Sequence, residues 1–347
     1  MKRLLLLLTA TFAVAFCIHG LNADENKLKV VATLPDIASV AREIGGDFVE
    51  VDSLTTAFDE PHTVTPKPSL MVKVNQADLF IEVGLELEIW SEKVLEGARN
   101  PKVRVGQPGH VYASEGVETL EKPKIMSRSE GDVHSQGNPH IWLNPLNVIK
   151  MAENIKNGLN RIAPEHSKAF EKNFGNFRDK IYEKLYGRKL VDLLGGDTLA
   201  SLHKNGRLIE FLKEKKYKEK PLIEILSGWM KKMLPNQGRE IITYHRSWSY
   251  LTDSFGLKVA MELEPKPGIS PSASHLAEVV KTVQQKHIKV VLVEPFYSRK
   301  AADFVADKTD AQVVVCATSV GGEENVNDYF SLIDNVVKKL TDVWEKK

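Results

Sequence analysis

The chain has 347 residues, of which 42% are apolar and 27% charged, the proportions of an ordinary globular protein. That length exceeds what one compact core needs, so two domains are expected. A net charge of +1 supplies no basic footprint for nucleic acid and no bias toward an acidic substrate.

In chain order, Lys2 and Arg3 lead into an apolar run from Leu4 to Phe16, and Leu21-Asn22-Ala23 places a small residue before Asp24-Glu25. This is the layout of a secretory signal, with a run too short to span a membrane, and it predicts export with cleavage after Ala23. A lipoprotein acylated on Cys17 is the rival reading, against which Phe16 is a poor residue to precede a lipidated cysteine. No other segment reaches about 18 uninterrupted apolar residues, so no stable membrane insertion is expected of the mature chain. Removal of the signal leaves Cys316 as the sole cysteine. It ends the apolar run AQVVVC and reads as a buried, inert thiol.

From Leu28 onward short apolar runs alternate with amphipathic stretches. KLKVVATL, FVEVDSL, DLFIEVG and PKVRVG read as buried strands, with helical spacing over Ile37–Gly45 and Ser69–Gln76. Next, Pro145–Ile162 reads as one helix, and Pro164 opens another that runs to about Tyr186. The region from Gly187 to Gly238 contains HKNGRLIEFLKEKKYKEK, with seven basic and three acidic residues, and reads as a solvated helical insertion outside the core. The strand rhythm returns in EIITY, LKVAMEL, IKVVLVE and AQVVVC, with helices near Ser247–Phe255, Ser272–Lys286 and Arg299–Lys308, and a last helix over about Val326–Trp344 closing the second lobe. Such alternation implies right-handed βαβ units. The expected fold is therefore α/β, with two lobes, each a mostly parallel four-stranded sheet with flanking helices, joined by a long rigid backbone helix. The corresponding boundaries are a signal at 1–23, a first lobe at 24–145, inter-lobe helices at 146–187, the insertion at 188–238 and a second lobe at 239–347.

Enzymatic signatures are missing from this sequence: it has no glycine-rich phosphate loop, no Gly-x-Ser-x-Gly, no His-Glu-x-x-His and no Cys-x-x-Cys. Its histidines carry more information. His62 follows the second strand in DEPHTVTPKPS, and His245 stands at the carboxyl end of a strand in IITYHRSW. Ligands of open parallel sheets bind outside the carboxyl ends of the strands. His140 lies in DVHSQGNPHIWLNP, between two Asn-Pro steps that stiffen the backbone, because proline fixes its own φ and pushes the residue before it into an extended shape. Three imidazoles drawn from distant segments suit zinc. A single histidine of this kind is more often a hydrogen-bonded loop residue; three at lobe-facing loops shift the weight to a metal site. His134 is expected to be exposed, and His110, His166, His203, His275 and His287 are read as surface residues.

EPHTVTPKPSLMVKVNQADLFIEVGLELE, GNPHIWLNP, YHRSWSYLTDSFGL, ELEPKPGISPS and VEPFYSRKAADFVADKTDAQVV, in this order, resemble the zinc- and manganese-type solute-binding proteins of ABC transporters (cluster A-I). The resemblance covers the mature chain apart from about Gly187–Leu226. It implies two α/β lobes with the metal between them and, matched position by position, the ligands His62, His140 and His245. Where manganese-type members often carry glutamate, this chain has His245, which favours Zn²⁺ over Mn²⁺ as the transported ligand. The family's acidic fourth ligand has no counterpart, because VVVCATSVGG offers Thr318 and Ser319. Glu294 or a water is left as the fourth donor.

The implied protein is a monomeric periplasmic carrier, not an enzyme, that serves an ABC transporter permease with its cytoplasmic ATPase and contacts no nucleic acid. A manganese-binding transport protein, a metal-binding surface adhesin and a zinc hydrolase are the alternatives, the last because three histidines with an open position also describe catalytic zinc.

Overall fold

The computed structural model describes residues 27–123 and 134–345. The expected signal and Cys17 lie outside these residues. The first sheet is built from β1 (Leu28–Ala32), β2 (Val49–Ser53), β3 (Leu79–Glu82) and β4 (His110–Tyr112), in the order β2-β1-β3-β4 with every pairing parallel. Helices α1 (Pro35–Gly45), α2 (Pro68–Asn75) and α3 (Ser91–Ala98) complete this lobe. α2 and α3 cover one face around Phe80, Val74 and Val94, while α1 covers the other around Ile37 and Ile44.

Two helices follow: α4 (Pro145–Ile162), then a 3₁₀ turn at Pro164–His166, then α5 (Ser167–Tyr186). α4 packs on β3, β4 and α1, whereas α5 packs on α1 and α4 and, further along, on the next region. The connection is thus a packed pair of helices, the second of them 20 residues long. The proline-bearing turn breaks the run because Pro164 cannot continue the ladder of α4.

That next region comprises α6 (Arg188–Leu194), α7 (Gly196–Lys204), α8 (Leu208–Glu214), a two-stranded hairpin of β5 (Lys216–Tyr217) and β6 (Lys220–Pro221), and α9 (Gly228–Met233). It is not a solvated appendage. Leu190, Leu199, Leu208, Leu212, Trp229 and Met233 are buried in the same core as Phe177 and Leu185 of α5. Their spacing is helical only within short segments, so no long apolar stripe stands out against the surrounding lysines. The basic residues Lys213, Lys215, Lys216, Lys218 and Lys220 are exposed, as expected.

The second sheet holds β7 (Glu240–Thr243), β8 (Lys258–Glu262), β9 (Val290–Val293) and β10 (Gln312–Val315), again all parallel, in the order β10-β9-β7-β8. α11 (Ala273–Lys286) and α12 (Lys300–Ala306) cover its outer face, and α10 (Ser249–Phe255) packs on β8. Strand alternation sorts β9: Val291 and Val293 face α11 and α12, while Val290 and Leu292 face the core shared with the first lobe. α13 (Tyr329–Glu345) lies in that shared core against β10, α9 and α1, so it joins the lobes instead of closing the second alone. Cys316 is buried here, and burial pushes its thiol up, which suits an inert side chain.

One expected strand is absent. In PKVRVG, Pro101 opens a 3₁₀ turn whose cap, Asn100, accepts from the Lys102 amide at 3.0 Å. Only Val103 of this run is buried, while Val105 is 57% exposed. β4 forms later, at His110–Tyr112, where pairing with Phe80–Glu82 is available.

The insertion's role in the core is testable by substitution. Trp229, buried with its indole N–H on Asp334 Oδ1 at 2.8 Å, should cost about 3–5 kcal/mol of folding stability when changed to Ala. Changing Lys216, Lys218 and Lys220 to Gln should each alter stability by less than about 0.5 kcal/mol, measured by denaturant unfolding.

Candidate metal centre

His62 is presented by the long loop between β2 and α2. Its neighbour Pro61 is pinned by the Trp90 indole, which donates to the Pro61 carbonyl at 2.8 Å, and its own amide donates to Glu60 Oε1 at 3.2 Å. His140 follows the first Asn-Pro step. Asn138 Oδ1 accepts from both the backbone amide and Nδ1 of His140, each at 2.9 Å, so the ring proton sits on Nδ1 and a bare Nε2 points away. The Asn138 amide nitrogen reaches Glu121 Oε2 at 3.0 Å and the Arg246 carbonyl at 2.9 Å. The second Asn-Pro step serves the helix that follows: Asn144 caps α4 by accepting from the Leu146 amide at 2.9 Å, with Pro145 at the first helical position.

His245 stands directly after β7, at the point where the strand order of the second sheet reverses between β7 and β9. Its Nδ1 contacts Glu264 Oε2 at 2.7 Å, and the same oxygen accepts from the Gly268 amide at 3.0 Å. This holds Nε2 toward the cleft in the manner of a carboxylate–histidine pair behind a metal.

The three rings converge. His62 Nε2 and His140 Nε2 lie 3.2 Å apart, although 78 residues separate them in the chain. On a tetrahedral zinc with bonds of about 2.0–2.1 Å, two nitrogens are about 3.3 Å apart. Ring centroids are 5.6 Å apart for His62 and His245 and 5.3 Å for His140 and His245. One donor atom from each histidine lies within 4.8 Å of the other two, and among the described residues this trio is the only such group. Burial, with the neighbouring imidazoles adding to it, holds His62 and His140 well below the usual histidine range, so both are neutral. For His245 burial acts the same way, but Glu264, Glu294 and Glu60 outweigh it and the pKa is raised.

Other sequence expectations meet a different outcome. His134 is not exposed: it is 9% accessible and its ring stacks on that of His62 at 5.0 Å, beside a turn that Glu86 ties down at the Ser135 amide. His110 is buried on Glu82 Oε1 at 2.9 Å, since β4 places it inside the lobe. His203 bridges the Tyr186 hydroxyl and the Ser254 carbonyl at 2.9 and 2.7 Å, His275 contacts the Glu262 carbonyl at 2.9 Å, and His166 stacks on Phe48 at 4.2 Å. These three are half-buried, and His287 alone of the five is exposed.

Glu294 is fully buried beside His245 but stands outside the trio's donor group. Burial pushes its pKa up to about 7, with the His245 charge and the Ser247 hydroxyl pulling it down. The Thr318 carbonyl accepts from the Trp142 indole at 2.9 Å, and the Ser319 hydroxyl is engaged elsewhere, donating to Asp36 Oδ2 at 2.5 Å. Sequence reading passed over Glu60, whose Oε1 is 3.9 Å from His62 Nε2 and which the Tyr297 hydroxyl faces across the cleft. Its signal was present, as an acid two residues before a ligand candidate on the same strand-end loop.

Comparison with known proteins then decides the family. The family described as zinc-uptake complex component A, periplasmic (ZnuA), matches residues 30–184 and 215–343. The chain belongs to this ZnuA family. The unmatched interval holds α6, α7 and α8. This family is one of metal-uptake components, the class expected from the sequence. Among relatives, the zinc-binding lipoprotein AdcA of Streptococcus pneumoniae TIGR4 is 25% identical over 98% of this chain and 60% of its own length. The chain thus spans about 60% of the length of that streptococcal relative. The iron-binding protein YfeA of Yersinia pestis is 28% identical over 90% of this chain and 85% of its own. A crystal structure of ZnuA superposes with a TM-score of 0.68 at 21% identity, covering 91% of this chain and 99% of that one. A manganese-bound periplasmic metal binding protein from Candidatus Liberibacter asiaticus gives 0.63 at 21% identity, covering 91% and 99%. Both share the two-lobed fold with this chain.

The electrostatics predict a split titration in the metal-free protein. His245 should protonate first as pH falls, because its pKa is raised while those of His62 and His140 are depressed. Glu264→Gln removes the nearest raising charge, so the His245 imidazole signal in an NMR titration should move to lower pH. A His245 pKa that does not fall would show that Glu264 does not control this ring.

Proposed function

We propose that this chain is an extracytoplasmic solute-binding protein that captures Zn²⁺ on His62, His140 and His245 and passes it to the permease of an ABC transporter driven by a cytoplasmic ATPase. The observation that carries the reading is the meeting of three imidazole nitrogens from three distant segments, two of them 3.2 Å apart. Neutral rings need shed no proton to ligate, so the depressed pKa values of His62 and His140 favour binding near neutral pH. The reading includes export by a cleaved signal, with a lipid anchor at Cys17 as its rival, a periplasmic and monomeric protein, and lobes at 24–145 and 239–347.

Zinc is preferred over manganese because all three donors are nitrogen, whereas manganese favours oxygen. The zinc-binding AdcA relatives and a zinc-bound ZnuA structure point the same way. The iron-binding YfeA and the manganese-bound structure support a second reading, a carrier for Fe²⁺ or Mn²⁺, in which Glu60 contributes an oxygen. Glu60 is the carboxylate nearest the trio's His62, so it joins Glu294 and water as a fourth donor.

Isothermal titration of metal-free protein with Zn²⁺, Mn²⁺ and Fe²⁺ tests the choice, and zinc should bind most tightly. His140→Ala should weaken zinc by more than the roughly 10–100-fold that follows loss of an outer partner. Intact zinc binding in His62→Ala or His245→Ala rules out the site. Glu60→Gln and Glu294→Gln discriminate the fourth donor: the ligand's substitution weakens zinc clearly, and if water completes the tetrahedron both changes are mild.

A further inference from the structure

The turn that leaves β3 has an unusual backbone. Gly84, Leu85 and Glu86 take φ values of 82°, 57° and 64° in succession, and two of these residues carry side chains that disfavour the left-handed region. Such a conformation persists only where its surroundings over-determine it. Here Glu88 does so from within: it is buried, and its carboxylate accepts from the Val83 amide at 2.8 Å, the Gly84 amide at 3.1 Å and the Thr33 hydroxyl at 2.6 Å.

The turn then holds two other loops at once. Trp90, at its far end, pins Pro61 and so the loop of His62. Glu86, at its crest, accepts from the Ser135 amide at 2.7 Å and from the Ser135 hydroxyl at 2.5 Å, across 49 residues of sequence. Two short bonds to one carboxylate fix direction as well as distance. Ser135 is next to His134, whose ring stacks on His62 and lines the small cavity that opens onto His140 and His245. The other end of this segment is also tied down, with the Thr119 hydroxyl donating to the Gln136 carbonyl at 2.6 Å and the Asn138 amide to the Leu120 carbonyl at 2.9 Å. Among these tethers, Glu86 is the one that joins the segment to the turn beneath His62.

We infer that Glu86 is a positioning residue which, through Ser135, holds His134 as an outer wall of the site and so sets the rate at which metal enters and leaves. This role rests on the metal-binding reading above but concerns exchange and not ligation. A wall lies on the path in both directions, so loosening it speeds association and dissociation together, whereas losing a ligand changes dissociation and affinity. The bonding of Ser135 also holds the Glu86 carboxyl below the usual range, so the clasp is ionised at neutral pH.

The test is stopped-flow zinc uptake by the metal-free protein and zinc release to an excess of chelator, for wild type, Glu86→Gln, Ser135→Ala and His134→Ala. Each substitution should raise both rates by about tenfold while the dissociation constant stays within about threefold. Glu86→Gln added to His134→Ala should give little further change, since both act on one wall. Hydrogen exchange of the metal-free protein supplies a readout independent of zinc, and the Ser135 amide should lose protection in Glu86→Gln. Unchanged rates in variants that bind zinc normally overturn the role, as does a rise in release alone with a matching loss of affinity. If wild type binds no zinc, the metal reading fails and this role fails with it; normal binding with unchanged rates removes this role alone.

Discussion

The seam in which α13 lies against α1 of one lobe and β10 of the other is the constraint on which the cleft depends. Burial of Ile333, Val336, Val337 and Leu340 makes it continuous with the apolar cores beneath both sheets. Polar groups then set its register. The Tyr329 hydroxyl donates to the Trp142 carbonyl at 2.8 Å, and its amide donates to the Ser39 hydroxyl at 3.1 Å. Asp36 accepts from the Ser319 hydroxyl and, at 2.9 Å, from the Val320 amide. These contacts join α1 to the segments that follow β10, so the strand ends of the two sheets face each other at a distance that side chains can span.

Asn138 carries that arrangement into the cleft. One side chain orients His140 through its oxygen and reaches the second lobe through its nitrogen, at the Arg246 carbonyl next to His245. Its carbonyl accepts from the Tyr250 hydroxyl at 2.7 Å, a further tie to the second lobe. Two of the three proposed ligands are therefore held relative to each other by one amide group. Such preorganisation lowers the ordering cost that a captured ion must offset.

The charge pattern around the three imidazoles is equally specific. Burial keeps His62 and His140 neutral, while Glu264, Glu294 and Glu60 surround His245 and favour positive charge there. A buried pocket bordered by carboxylates stabilises a divalent ion more strongly than a neutral cavity does. The same pocket holds Glu294 near its neutral form, at a pKa of about 7, so it need not be a permanent anion before an ion arrives.

Much of this molecule was legible from its sequence because short-range rules govern it. The runs that became β1, β3, β7 and β9 read as continuous Val, Ile and Leu segments, as strands buried between helices do, and Pro145 and Pro164 mark where helices begin. The placement of His62 and His245 after strands followed from the rule for parallel sheets, and the stiff Asn-Pro step singled out His140. What tertiary structure alone decided is where side chains of ambiguous character end up. Whether PKVRVG becomes a strand depends on a free neighbour at the edge of β3, and that place goes to His110–Tyr112. Whether the lysine-rich insertion is surface or core depends on the uncovered face of α5, which Leu199, Leu212 and Trp229 fill. His134 and Glu60 are polar loop residues by any local measure. Their place against His62 results from contacts with Ser135's partner Glu86 and with Tyr297, each far away in sequence, and no local pattern encodes a contact of that range.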